Sequence, residues 1–222
     1  MKRKLCTVIS VLLIASLLLS AVAIATDSEL MLPEDVFPDD NFYRSVREGV
    51  RLGIVIGTSE GSFTFEPNRI VTRAEFITML GRMHEYFNGP IGTSEEGLFY
   101  ERYLNWAVEN DIVRGNRCGD FLPHASLTRE QMIVISHRYI VAFELWQTIV
   151  SNFRNSIPPD MALPLIQTYS DTDISYWADD SVITFAVIHQ LPTTNLYFRP
   201  QDNATRSEAL STITNLTRWI FD

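Results

Sequence analysis

Three copies of one pattern constrain this chain more than anything else in it. Phe-x-Pro is followed, after four residues, by Thr-Arg-x-Glu or Thr-Arg-x-Gln. The copies run from Phe65 and Pro67 to Thr72, Arg73 and Glu75, from Phe121 and Pro123 to Thr128, Arg129 and Gln131, and from Phe198 and Pro200 to Thr205, Arg206 and Glu208. The offset from Phe to Thr is constant, so the recurrence is an internal repeat and implies copies of one small unit stacked on each other.

Thr-x-x-Glu/Gln is a capping box. The Thr hydroxyl accepts from the N3 amide, and the N3 side chain accepts from the N-cap amide. The spacing predicts helices that start at Thr72, Thr128 and Thr205. An Arg then stands at the first helical position in each copy, where the macrodipole disfavours a cation. Two readings follow. The guanidinium, beside first-turn amides, can meet an anion such as a carboxylate, or it can pair with an acid and hold the repeats together. Counting from each Arg, positions three, four, seven and ten are Phe76, Ile77, Leu80 and Met83, then Met132, Ile133, Ser136 and Tyr139, then Ala209, Leu210, Ile213 and Leu216. This is the buried stripe of an amphipathic helix.

Each unit also has an upstream half. Phe42–Val55 and Phe99–Val113 are helical in pattern and run into Gly57 and Gly61, and Gly115 and Gly119, at matching spacing. Glycine there suits caps and tight turns. The third unit opens at Tyr169-Ser170-Asp171 with Trp177 and has no counterpart of these glycines around Gln190-Leu191-Pro192. The expected class is all-α: helix, Gly-rich loop, Pro, capped helix, three times.

These segments resemble the S-layer homology (SLH) family. The resemblance rests on Val71-Thr72-Arg73-Ala74-Glu75-Phe76, Asn105 to Val113, Leu127 to Met132, and Phe198-Arg199-Pro200 with Ala204 to Glu208. It implies SLH modules at 36–84, 97–140 and 169–218, arranged with pseudo-threefold symmetry around a central three-helix bundle. It implies anchoring to the bacterial cell wall through an anionic secondary cell-wall polysaccharide, often one with pyruvate ketals. By the same resemblance, Arg73, Arg129 and Arg206 meet the sugar, with Phe42, Phe99 and Trp177 as the early aromatics. Gly57 and Gly115 belong to the turns that line grooves. The third groove is expected to be altered, because its glycines are missing. An S-layer or other surface protein is a further expected partner. The second copy departs at Glu130-Gln131, where the first has Ala74-Glu75. The alternative is a structural or self-associating subunit with the same fold and no sugar contact. Residues 141–168 exceed the repeat: 56 residues separate Arg73 from Arg129 and 77 separate Arg129 from Arg206. Phe143, Trp146, Ile157-Pro158-Pro159 and Leu163-Pro164 suggest an extended helix and a Pro-bounded loop there.

Lys2-Arg3-Lys4 precedes an apolar run that ends in Ala21-Val22-Ala23-Ile24-Ala25. Residues 1–25 read as a secretory signal, with 26–35 as a short segment after it. The run is also long enough to span a bilayer if it is not cleaved. Three of the 18 basic residues and none of the 27 acidic ones lie in 1–25, which leaves 15 against 27, a net of −12, after cleavage. That balance argues against nucleic acid. Any anionic ligand must be held by local arginines against a repulsive overall field. Outside the leader only Cys118 remains, and one cysteine forms no internal disulfide.

No enzyme is expected. Gly57-Thr58-Ser59-Glu60-Gly61 matches a hydrolase elbow in letters, but a helical segment precedes it and a loop follows. His84, His124, His137 and His189 lack metal-ligand spacing, and no cofactor is implied. Asp171-Thr172-Asp173 suits capping better than a cation. The sequons at Asn203 and Asn215 fall where capping and helix packing account for the threonines.

Overall fold

A computed structural model describes residues 30–57, 63–92, 97–115, 119–156, 173–187 and 197–221. Leu32–Asp222 is one compact unit. Its described helices are α1 (Tyr43–Arg51), α2 (Arg73–Asn88), α3 (Glu101–Glu109), α4 (Arg129–Ala142), α5 (Trp146–Ser156), α6 (Asp179–Val187) and α7 (Arg206–Phe221). The described residues form no sheet, only isolated bridges; the class is all-α.

The capped helices start where the sequence places them. Thr72 and Thr128 are extended, at φ −86° and −79°, and both halves of each capping box are made. Thr205 does the same with Glu208: the Thr205 amide donates to the carboxylate at 3.0 Å and the Glu208 amide to the Thr hydroxyl at 3.3 Å. All twelve residues of the predicted stripe are fully buried.

The units are interleaved. α1 packs against α7, α3 against α2 and α6 against α4, so each unit's first helix lies on the capped helix of the unit before it. The approaches to the capped helices close the same cycle by backbone bonds. Leu127 donates to Val71, Ala204 to Leu127 and Val71 to Ala204, at 2.8–3.1 Å. The x of every Phe-x-Pro turns the chain with a positive φ: Glu66 at 56°, Leu122 at 55° and Arg199 at 53°. Such residues rarely take this conformation. Each is followed by the same turn, with the amide three residues on donating back to its carbonyl at 3.1–3.2 Å.

The insertion differs from the extended helix expected. α4 ends at Ala142, and Glu144 at φ 53° turns the chain before α5 starts anew. α5 packs on α7, where Asn152 donates to the Trp219 carbonyl at 2.9 Å. The Pro-bounded loop, the Gly-Thr-Ser-Glu-Gly motif beyond Gly57, Cys118, His189, Asp171 and Gln190-Leu191-Pro192 lie outside the described residues, as does the leader. No described helix is long and apolar enough to cross a membrane.

Candidate functional site

The three first-position arginines do one common thing. Each reaches across to the following unit and donates its Nε to the carbonyl of that unit's repeat Phe: Arg73 to Phe121 at 2.8 Å, Arg129 to Phe198 at 2.6 Å, Arg206 to Phe65 at 2.8 Å. Each guanidinium also lies over that Phe ring, at 4.6, 5.6 and 5.2 Å from the centroid. The left-handed residue after each Phe sets this turn. It explains why an Arg is kept where the dipole opposes it.

The first-turn amides are not open to an anion, in contrast to the expectation drawn from sequence. The amides of Arg73 and Ala74 donate to the carbonyls of Ala125 and Pro123. Those of Arg129 and Glu130 donate to Asp202 and Pro200, and those of Arg206 and Ser207 to Arg69 and Pro67. With the Thr hydroxyl on the N3 amide, the orphan donors of the first turn are occupied. Only side chains are left to meet a ligand at these helix starts.

Beyond the shared contacts, the arginines part. Arg129 is 1% exposed and ion-paired with Glu208. Arg206 is 5% exposed, with Glu75 at 3.5 Å. Both acids are N3 capping residues of the following unit. The residue in that register facing Arg73 is Gln131, which is neutral. Arg73 is only half-buried, and among the described residues it has no carboxylate partner.

Arg73 lines a groove of about 480 Å³ with Gly115, Gln131, Arg114, Arg138 and Trp177. A Cβ at Gly115 would collide with the Gly119 backbone, and Gly119 has φ 89°, so both glycines are needed for this turn. A second groove of about 510 Å³ repeats the layout with Arg206, Gly57, Glu75, Arg82 and Phe99. Phe99 and Trp177 are 60% and 53% exposed and come from the next unit in each case. The third seat differs. Counting from helix starts, the position of Phe99 and Trp177 is held by Asn41, while Phe42 matches Tyr100 and packs against the core. The position of Arg82 and Arg138 is held by Asn215.

Charge follows geometry. Burial and then the Arg138 cation push the Arg73 guanidinium down from its ordinary value. Arg138 is lowered by burial and then by Arg114, with Asp111 opposing. In the second groove the hydrogen bond that Arg69 donates to Glu75 raises the Arg69 guanidinium. Burial works to raise the Glu75 carboxyl, but Arg69 and the Thr72 amide outweigh it and leave it lowered.

Sequence reading missed Arg114, Arg138, Arg69 and Arg82 as groove residues. For Arg82 and Arg138 the signal was their shared position, nine residues after Arg73 and Arg129. Glu130 departs from the repeat because it is buried and accepts from the Ser175 amide and hydroxyl, at 3.0 and 2.8 Å. His84 packs among Trp106, Tyr139 and Phe143. No group of described residues could hold a metal ion.

Residues 34–77 and 96–133 match the S-layer homology domain. The first matching stretch contains α1 and the start of α2, the second α3 and the start of α4; a match to this domain implies association with the cell wall. The chain is 29% identical to an endoglucanase of Bacillus sp. (strain KSM-635) over 94% of its own length and 22% of that protein. It is 32% identical to an amylopullulanase of Thermoanaerobacterium thermosulfurigenes over 68% of the chain and 8% of that protein. It is 28% identical to the exoglucanase XynX of Acetivibrio thermocellus over 68% of the chain and 13% of that protein. The chain spans less than a quarter of the length of each of these curated relatives.

Proposed function

We propose that this chain is an exported, non-catalytic anchor that binds an acidic secondary polysaccharide of a bacterial cell wall through its inter-unit grooves. The observation that carries the reading is the repeated groove: an exposed aromatic of one unit, Trp177 or Phe99, stands beside arginines of two others. A pyranose ring offers an apolar face to an aromatic and hydroxyls or carboxylates to guanidinium donors. The relatives are named as polysaccharide hydrolases and are far longer than this chain. A shared part of such proteins is better read as a means of attachment than as their catalytic part.

The reading includes 169–218 as a third module and a pseudo-threefold arrangement of the three. The closed cycle of hydrogen bonds through Val71, Leu127 and Ala204 supports both. The third groove is proposed to be degenerate, since Asn41 and Asn215 replace its aromatic and its helix arginine. A structural role is favoured for Arg129, whose Nε and Nη1 are engaged by the Phe198 carbonyl and Glu208.

Cosedimentation of the protein lacking residues 1–25 with purified walls tests the reading. Binding is expected to walls that retain their secondary polysaccharide and to vanish when it is stripped. Equal binding to stripped walls, or none to intact ones, contradicts it.

A further inference from the structure

The two grooves share one design and differ in charge. In the groove of Arg206, Glu75 reaches Arg69 at 2.6 Å and Arg206 at 3.5 Å, and Glu66 reaches Arg69 at 2.8 Å. The cations that could meet a ligand there are already answered, except Arg82, which donates to the Ile54 carbonyl at 3.2 Å. In the groove of Arg73 the acid is replaced by Gln131. Arg73 and Arg138 have no carboxylate partner among the described residues. Arg114 has only the exposed Asp111 at 3.4 Å, on a side chain that is itself 65% exposed. Asp120 also lines this groove, is exposed and has a partner of its own.

We propose that Gln131 is the specificity-determining residue of the Arg73 groove, which takes the acidic sugar units of a polymer, while the Arg206 groove takes neutral ones. Arg73 and Arg138 are the ligands of the sugar carboxylate, Arg114 an exposed third donor, and Trp177 the platform for the ring. This rests on the sugar-binding reading above and refines it. The three guanidinium groups repel each other, with only the exposed Asp111 paired to one of them, and an anion placed among them relieves that repulsion as it binds. A protein of net −12 outside its leader gains no help from its overall field. Selectivity must therefore come from Arg73 and Arg138, which no carboxylate pairs with among the described residues. Gln131 keeps the helix cap, because its side-chain oxygen accepts from the Thr128 amide at 3.3 Å. The neutral residue thus changes the groove without loss of the helix start.

The test is calorimetric titration of the protein lacking residues 1–25 with tetragalacturonate, which carries a carboxylate on every unit, and with galactotetraose, which carries none. The expected result is one site for the acidic probe, with a preference over the neutral probe of about tenfold or more, as for charge-assisted hydrogen bonds. Gln131→Glu supplies the missing counter-ion and is expected to abolish that preference while the circular dichroism spectrum stays unchanged. Arg138→Gln is expected to weaken the acidic probe by about tenfold. Arg44→Gln, which removes one exposed charge far along the sequence in α1, is expected to leave it unchanged. Equal affinity for the two probes, or a preference that survives Gln131→Glu and Arg138→Gln, overturns the proposal. The wall assay separates the two ideas. Wall binding with no acidic preference overturns this inference and leaves anchoring standing. An acidic preference without wall binding sustains the groove chemistry and overturns anchoring.

Discussion

Arg129 and Arg73 occupy the same position of the same motif and have different fates. Arg129 is sealed between units, with Glu208 on one side and the Phe198 carbonyl on the other. Arg73 makes the matching carbonyl bond to Phe121 but faces Gln131 and opens onto a groove with Arg138 and Trp177. One repeated residue therefore serves two purposes, and the difference is set by a side chain in the next unit. The lesson is that a repeat motif carries its common task, here the link from Arg to Phe, in every copy. A ligand role is left only where the closing acid is absent.

The comparison is broken most forcefully by removing each arginine in turn. Arg129→Ala takes the cation from Glu208, which keeps the Thr205 amide and is 24% exposed, and one donor from the Phe198 carbonyl. It is expected to cost about 1.5–3 kcal/mol, as for a charge-assisted hydrogen bond, read as a lowered urea midpoint. Arg73→Ala loses the same carbonyl bond but strands no acid, so a loss of about 0.5–1.5 kcal/mol is expected. Equal losses for the two would erase the distinction.

Acid titration sharpens it next. The folded-state pKa of Glu75 is lowered, so its pairing with Arg69 and Arg206 stabilises fully above the unfolded value of about 4.3. That contribution is lost as pH falls through the lower folded value. In Glu75→Gln this part of the acid destabilisation should be missing from a series of urea midpoints below about pH 5. Gln131→Glu should add a contribution of the same sign in the other groove. A Glu75→Gln protein with an unchanged acid profile would mean the pair does not act as drawn.

The caps give smaller and more uniform effects. Thr72→Ala, Thr128→Ala and Thr205→Ala should each cost about 0.5–2 kcal/mol, with similar values because all three boxes are complete. A strongly unequal set of melting temperatures would show that the units are less alike than their bonding. The smallest effect is expected at Leu122, whose φ of 55° suits glycine. Leu122 is about half exposed, so Leu122→Gly should change stability by no more than about 1 kcal/mol.

What was legible in the sequence was local. Thr72, Thr128 and Thr205 mark their helices because cap and N3 residue are three apart, and the stripe from Phe76 to Leu216 follows the helical period. The buried pairs were not legible. Arg129 meets Glu208 and Arg206 meets Glu75, partners in other units and far apart in sequence. The occupied first-turn amides were hidden for the same reason, since their acceptors lie in the following unit. Glu66, Leu122 and Arg199 share a left-handed turn that their three unrelated side chains do not announce. The aromatic register slipped by one in the first unit: Phe42 looked like the partner of Phe99 and Trp177, but Asn41 holds their position relative to the helix start.

The central claim is that Arg73, unlike Arg129, is free to serve a ligand. Its most direct test is cosedimentation of Arg73→Ala with purified walls, with circular dichroism on the same sample. The account predicts a folded spectrum and wall binding weakened by about tenfold or more. Undiminished binding by a folded Arg73→Ala protein, or its loss of structure, would contradict it.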